Sequence, residues 1–450
     1  MKEECIISSF VDELENLDEI STKISNLGRC TVPSPLVKRD YPCFVDDDDR
    51  VLLLASHRRV SLLCKDGHMP SFELAGPRQD IYFDPAKTKC AVVTCGGLCP
   101  GINDVIRAIV MTLFYGYGVK SIFGIRFGLR GFIPSYGLDV MELTPDSVAR
   151  IHEYGGTILG SSRGPQPAEE IVNALERMNV SILFAIGGDG TFRASKKIVD
   201  EINKRGVKIA VIAIPKTIDN DIFLVAKTFG FDTAVQMACQ AIKSAHTEAI
   251  GAPNGVGLVK LMGRYAGFIA AAASAALREV NYCLIPESDF DLDGERGLLK
   301  ELERRLERRG HAVIVVAEGA GQKFFKDQPR QTDASGNVRL GDIGKFLKQS
   351  IQEYFVSLGK EINIKYIDPS YIIRSVPANV DDSLYCGNLG QNAVHAAMAG
   401  KTDMMISLWN DRYVHIPLEN ATLHRKQVNL KSRFWMSVLE STGQPSLKNN

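Results

Sequence analysis

An α/β fold of the doubly wound kind, with mostly parallel sheets behind an N-terminal extension, follows from two patterns in the sequence. From about Lys89 onward, short apolar runs rich in β-branched residues alternate with stretches of helical periodicity, as in a parallel sheet covered by helices. Nearly every run ends in a glycine-rich or polar loop, and ligands of such folds sit beyond the carboxyl ends of the strands. The 450 residues, 45% of them apolar, allow two or three domains with a large core.

Residues 1–88 read differently from the rest. Phe10, Leu14, Leu17, Ile20, Ile24 and Leu27 recur at spacings of three and four and predict one face of an amphipathic helix. The stretch VPSPL (32–36) and the acidic run Asp46–Asp49 break that pattern, so this segment reads as an extension packed on a larger body or a neighbouring subunit. Strands are then predicted at CAVVTC (90–95), SIFGI (121–125), SILFAI (181–186), KIAVIAI (208–214), GVGLVKLM (255–262) and HAVIVVA (311–317). Helical patterns occupy 104–114, the stretch from Phe192, and the Ala-rich run 268–277. ELERRLERR (301–309) alternates sign at helical spacing and predicts a solvated helix face.

Lys+Arg and Asp+Glu balance at 53 each, which speaks against a nucleic-acid binder, although folding can still gather a local patch. No window has the roughly 18 uncharged apolar residues of a membrane helix, and the acidic N-terminus is unlike a secretory signal or transit peptide. SLKNN at the C-terminus is not a peroxisomal tripeptide. A cytoplasmic protein with free thiols is expected. Cys90, Cys95 and Cys99 lack the spacing and histidine partners of a zinc site.

Four strand-end loops carry candidate chemistry. Gly96–Asn103 follows the first strand and opens a helix; its glycines and the helix N-terminus suit a phosphate cradle, though a plain tight turn explains it equally. In Gly187-Gly188-Asp189-Gly190-Thr191 a carboxylate stands at a helix N-terminus, an arrangement that Mg²⁺ bridging to a polyphosphate would resolve, with helix capping as the alternative. In Pro215–Asp221, two acids two residues apart beside Lys216 suit proton removal next to a phosphoryl group; a solvated turn is the bland reading. Met262–Gly267 brings Arg264 to the same crevice, where a guanidinium can fork onto phosphate oxygens. Ala399-Gly400-Lys401-Thr402 ends like a phosphate loop, but His395 stands where its first glycine is required and a helix precedes it.

In this order, GGLCPGIN, GSSRGPQ, GGDGT, PKTIDND, KLMGRYAG and YIDPSYIIR resemble the phosphofructokinase family from about residue 88 to at least 425. The wording is closest to the ATP-dependent enzymes of plants and kinetoplastids, including FVDDDDRV and the closing STGQPS. The resemblance implies two interleaved lobes: a nucleotide-binding lobe of 89–230 and 373–425, and a sugar-phosphate lobe of 231–372. Residues 1–88 form the extension and 426–450 a C-terminal segment. It implies Mg²⁺-assisted transfer of the γ-phosphoryl of ATP to the 1-hydroxyl of fructose 6-phosphate, by a homodimer or homotetramer.

Residue by residue, the resemblance gives Gly97, Arg163, Gly164, Gly188, Asp189, Gly190 and Thr191 to the nucleotide, with Asp189 on Mg²⁺. Asp219 is implied as the base, with Lys216 and Arg264 neutralising charge that develops in transfer. Thr217, Ile218, Asp221, Met262, Gly263, Arg264 and Glu318 are implied around the sugar, and Tyr371, Arg374 and Lys365 at its 6-phosphate. Arg107 matches an effector-binding position of bacterial relatives.

Two departures stand out. Pyrophosphate-dependent relatives resemble GGDD with PKTIDND and bacterial ATP enzymes GGDG with PGTIDND, whereas this chain combines Gly190 with Lys216. A carboxylate at 190 would crowd and repel an α-phosphate, so Gly190 favours ATP. Pyrophosphate dependence, another GGDGT-type kinase, and a catalytically silent regulatory subunit are the rival readings. Gly255 stands where bacterial enzymes have an arginine lent by the neighbouring subunit; Asn254, Lys260 or a residue of the extension are the candidates to replace it.

Overall fold

The computed structural model describes residues 20–39, 43–57, 60–61, 69–326 and 339–449. Its larger sheet has nine strands in the order Arg50–Leu52, Ser71–Leu74, Arg412–Pro417, Met404–Trp409, Ala210–Pro215, Ile182–Gly187, Lys89–Thr94, Ser121–Ile125, Val140–Glu142. The five strands from Met404–Trp409 to Ser121–Ile125 are parallel, and those outside them are antiparallel. The predicted strands therefore exist with ends shifted by a residue or two.

Near-continuous apolar runs are required because both faces of this sheet are covered. Cys90, Val92, Ile182, Phe184, Ile212 and Ile214 face one core, with the helices Ile102–Met111 and Val380–Met398. Ala91, Val93, Leu183, Ala185 and Val211 face the other, with Ala168–Arg177 and Asp189–Arg205. Alternate residues of each strand thus serve opposite layers.

The chain leaves Lys89–Thr94 for Ser121–Ile125 on one side and returns through Ile182–Gly187 on the other. The direction of winding reverses between Lys89–Thr94 and Ile182–Gly187, where a crevice opens at the carboxyl ends in such sheets. The first two glycine-rich loops flank that point.

A second sheet, Tyr282–Leu284, His311–Ala317, Gly255–Leu261, Asn363–Ile367, is parallel throughout. Val256, Leu258, Ile314 and Val316 pack on the helices Leu298–Arg309 and Ile343–Ser357. On the opposite face, the helix Phe231–Ile250 contributes Ala234, Ala238, Ile242 and Ala245 to a core continuous with that of the larger sheet. The C-terminal helix Arg433–Thr442 lies against Phe268–Leu277, with Phe434 and Phe268 stacked 6.3 Å apart.

The N-terminal helix expectation needs correction over its described part. Phe10, Leu14 and Leu17 lie outside the described residues, and no helix runs through Ile20, Ile24 and Leu27. Ser25–Asn26 is instead extended, pairing with Lys401–Thr402, and the Leu27 N–H donates to the Gly400 carbonyl at 2.9 Å. Available backbone partners there outweigh the helical periodicity. Further along, Arg50–Leu52 and Ser71–Leu74 add two strands to the larger sheet, so this part of the extension is woven into the body.

ELERRLERR lies in the helix Leu298–Arg309, where Leu302 and Leu306 are buried and Glu301 pairs with Arg304 at 2.6 Å. Glu303 departs from the solvated expectation: it is buried and is met by Lys300 and Lys360, each at 2.7 Å. Cys90, Cys95 and Cys99 are buried free thiols, and burial raises Cys95 to about 11 and Cys99 to about 12. Among the described residues no helix is long and apolar enough to cross a membrane.

Lys401 is 2% exposed, and its ammonium meets Glu73 at 2.9 Å and Asp47 at 2.8 Å. The glycine-lysine-threonine sequence thus ties the N-terminal strands to the sheet and holds no phosphate. Lys401→Met should leave Glu73 buried without its cation and destabilise the fold by about 3–5 kcal/mol in denaturant titration. Adding Glu73→Gln should recover part of that loss, and a double variant no more stable than the single would refute the pairing.

Candidate active site

Around Gly97 the structure gathers three cations from distant segments. A Cβ at Gly97 would lie 3.0 Å from Arg374 Nη1 and 3.3 Å from Arg163 Nη2, while Lys216 Nζ donates to the Gly97 carbonyl at 2.7 Å. A side chain at 97 would crowd both guanidinium groups and force them to shift. The arginine-bearing loop is tied to the first loop by Ser161 Oγ to Gly96 O at 2.7 Å and Gly96 N to Ser162 O at 3.0 Å. Lys216 is buried; burial holds its ammonium below the usual range, and Arg374 and Arg163 push the same way. Arg374 is likewise lowered, by burial first and then by Arg163. Among the described residues no carboxylate lies within ion-pair distance of these three, the electrostatics of an anion site.

The Pro215–Asp221 loop runs beneath this cluster. Lys216 N donates to Gly187 O at 3.0 Å, joining the loop to the neighbouring strand end. Thr217 Oγ1 accepts from Asp219 N at 3.1 Å, and Thr228 Oγ1 donates to Thr217 O at 2.7 Å. Asn220 takes a left-handed φ of 54°, and its side chain accepts from Thr228 N at 3.1 Å. Asp219 Oδ1 is sealed from solvent and has no hydrogen-bond partner among the described residues. Burial raises Asp219 to about 7, and the nearby carboxylates of Asp221 and Glu318 add to the shift against Arg374 and Lys216. Asp221 is also raised, chiefly by burial, with Arg425 and the Thr217 hydroxyl opposing. Ile218 is buried in the core and has only its backbone to offer a ligand.

Asp189 begins the helix Asp189–Arg205, and its carboxylate caps no backbone N–H. Arg193 meets it at 2.9 Å and Arg425 at 3.4 Å. Arg425 also lies 3.9 Å from Asp221 and 3.9 Å above the Tyr265 ring. Two arginines thus stand beside the carboxylate for which Mg²⁺ is expected. Among the described residues no group of three or more His, Cys, Asp or Glu could hold a metal. Asp189 still suits Mg²⁺, which takes one or two carboxylates and completes its shell with substrate phosphates. A Cβ at Gly190 would touch nothing within 4 Å, so this face of the loop is open.

From the second sheet come Met262–Arg264 and Glu318. Glu318 N donates to Leu261 O at 2.9 Å and Gly319 N to Gly263 O at 3.0 Å, locking the two strand-end loops together. A Cβ at Gly319 would come within 1.9 Å of Arg264 O. Burial raises the Glu318 carboxyl, while Arg264, Lys260 and Arg374 hold it down. Glu318 and Asp219, one from each sheet, thus share the influence of Arg374. Tyr371 is exposed, with the Arg374 guanidinium 4.8 Å above its ring.

Other predicted residues lie elsewhere. Lys365 sits on the edge strand Asn363–Ile367, opposite Gly257 and 3.8 Å from Glu248. Gly255 opens its strand at the end remote from the loops, and a Cβ there would be 1.9 Å from Ala249 O, which explains why no arginine occupies it. Lys260 is engaged by Asp368 at 2.7 Å and Asp342 at 3.1 Å, and Asn254 donates to Glu361 O at 3.0 Å. Arg107 donates to Ala149 O at 3.3 Å. Sequence reasoning missed Arg193, Arg425 and Lys426. Arg193 was detectable, four residues beyond Asp189 on the predicted helix, whereas Arg425 and Lys426 arrive from some 200 residues downstream with no motif around them.

A family model described as Phosphofructokinase matches residues 89–397. An ATP-dependent 6-phosphofructokinase of Borreliella burgdorferi is 51% identical, over 97% of this chain and 99% of the relative. One of Amycolatopsis methanolica is 48% identical over 96% of each, and one of Trypanosoma cruzi is 47% identical over 82% of this chain and 76% of the relative. Among solved structures, a pyrophosphate-dependent phosphofructokinase from Marinobacter aquaeolei superposes with a TM-score of 0.64 at 19% identity, covering 80% of this chain and 92% of that one. Pichia pastoris phosphofructokinase in the T-state gives 0.61 at 19% identity, covering 82% and 38%. At these identities the structures establish the fold alone.

Asp219 carries a thermodynamic signature. With its folded value raised from 3.8 to about 7, the native state holds a proton that the unfolded chain has released, so this group's contribution to stability falls as pH rises through that window. Asp219→Asn should therefore stabilise the protein by roughly 1–3 kcal/mol at pH 8 and much less at pH 4. Equal destabilisation at both pH values in thermal melts would contradict the burial argument.

Proposed function

Because the chain belongs to the phosphofructokinase family, we infer that it is an ATP-dependent 6-phosphofructokinase, transferring the γ-phosphoryl group of ATP to the 1-hydroxyl of fructose 6-phosphate. The observation that carries the activity is the end-to-end 51% identity to a relative of that name. The products are fructose 1,6-bisphosphate and ADP.

The residue roles are our proposal, supported by the geometry. Asp219 takes the proton of the 1-hydroxyl as that oxygen attacks the γ-phosphorus and the bond to the β-phosphate oxygen breaks. A carboxyl raised to about 7 is matched to proton removal near neutral pH. Lys216 and Arg163, gathered at Gly97, neutralise the charge of the transferring group, and Arg374 reaches the same point while also serving the 6-phosphate with Tyr371. Arg264 supplies charge from the facing loop. Gly97, Gly164 and Gly188–Thr191 line the nucleotide path, and Thr217, Asp221, Met262, Gly263 and Glu318, with the backbone of Ile218, surround the sugar. Mg²⁺ held by Asp189 would screen the phosphates, and Arg425 must then share or yield that carboxylate.

The lobes follow the two sheets, with the sugar side built on 231–372 and the nucleotide side on 89–230 and the returning strands. Cytoplasmic location is proposed with the glycolytic role. Lys365 and Gly255 lie away from the loops of their own chain, and Tyr371, Ile372, Val380 and Leu384 are exposed apolar residues within the one stretch 371–384. Both features support assembly into a homodimer or homotetramer, in which Lys365 would act on a neighbouring site.

Lys216 alone also suits pyrophosphate as donor, and Gly190 decides between the two. Since a Cβ at 190 meets nothing, Gly190→Ala should fold and work normally, whereas Gly190→Asp should lower kcat/KM for Mg-ATP about tenfold or more through repulsion in the cleft. The unmodified protein should turn over fructose 6-phosphate with ATP and not with pyrophosphate. Turnover with pyrophosphate alone, or unchanged ATP kinetics in Gly190→Asp, would sink the donor assignment.

A further inference from the structure

Lys426 is 4% exposed and sits behind the Pro215–Asp221 loop. Its ammonium donates to Val225 O at 2.9 Å, Ala226 O at 2.8 Å and Asn220 Oδ1 at 3.2 Å, and lies 5.1 Å from the centre of the Phe268 ring. Its own N–H donates to Asp221 O at 3.1 Å, and the adjacent Arg425 pairs in an isolated bridge with Ile222. Every one of these backbone and amide acceptors belongs to the single stretch 220–226. That stretch contains two non-glycine residues in the left-handed region, Asn220 at φ 54° and Leu224 at φ 56°. Such conformations persist only where the surroundings over-determine them. Asn220 stands between the two carboxylates, and its side-chain oxygen is shared by Thr228 N and Lys426 Nζ.

We propose that Lys426 is a positioning residue for phosphoryl transfer, its ammonium holding Asn220 and the chain to Ala226 so that Asp219 and Asp221 keep their orientation in the cleft. This rests on the function inferred above. Three donors on one tetrahedral ammonium meet three acceptors: the carbonyls of Val225 and Ala226, which would otherwise lose this partner, and the Asn220 oxygen, which Thr228 N would then hold alone. No neutral side chain of this length satisfies all three. The hydrogen bonds of Lys426 given above all run to the chain between Asn220 and Ala226, so the role assigned to it is exercised through that loop and not on the phosphoryl group.

The test compares unmodified protein, Lys426→Met and Lys426→Ala with Mg-ATP and fructose 6-phosphate. Lys426→Met should lower kcat about 10²-fold, the scale of a small misplacement of reacting groups, while the Kd for Mg-ATP by calorimetry stays within about threefold. In Lys426→Ala, propylammonium should restore part of kcat and tetramethylammonium, at equal ionic strength, should not. If Lys426→Met does not fold, Lys426→Gln, whose amide can still donate to one carbonyl, carries the same comparison. Near-normal kcat in a folded variant, or a loss that tracks nucleotide affinity and ignores the amine, would overturn the proposal. Absence of turnover in the unmodified protein would instead count against the inferred function.

Discussion

One oxygen of Asp219 is sealed from water and has no hydrogen-bond partner among the described residues, and the charges around it determine how it titrates. An isolated carboxylate would not stay ionised in such a place. Here Lys216 and Arg374 pull it toward ionisation while Asp221 and Glu318 push it back, leaving it poised near neutrality instead of permanently charged or permanently protonated. The balance requires charges from both sheets, because Glu318 follows a strand of the second sheet and Lys216 a strand of the first. The crevice between the two sheets is thus an electrostatic unit before any ligand enters it.

The same constraint shows how a chain without net charge can concentrate positive charge at one point. Its positive charge is distributed unevenly, with Lys216, Arg163 and Arg374 held around one glycine, while other cations are neutralised locally by carboxylates, as Lys401 is by Glu73 and Asp47. Burial first, and then repulsion from neighbouring guanidinium groups, lowers both Lys216 and Arg374, so a phosphate bound there would relieve unfavourable energy already present in the protein. Arg425, spanning Asp189 and Asp221, holds the acidic side of the cleft in check in a comparable way.

Much of this was legible in the sequence, and the limits of legibility are physical. Strands such as His311–Ala317 announce themselves because both faces are buried, which forces a continuous apolar run. The loops at Gly97, Asp189, Asp219 and Arg264 are legible because each is a short contiguous segment whose chemistry is written in neighbouring residues. The approach of Arg374 to Gly97 is a tertiary fact with no local trace, as are the arrivals of Arg425 and Lys426 behind and beside the acidic loop. The N-terminal periodicity misled for a related reason: from Ile20 to Leu27 the edge at Gly400–Thr402 offers backbone partners that intrinsic helical pattern cannot anticipate.

Direct titration of the carboxyl is the sharpest test of this account. Carbon-13 NMR of protein labelled at the aspartate side-chain carboxyl, with Asp219→Asn to assign the signal, should reveal an Asp219 resonance that titrates near pH 7. A resonance for Asp219 that titrates with ordinary exposed aspartates, near pH ~3.9, would contradict the claim that burial and its two acidic neighbours set this carboxyl.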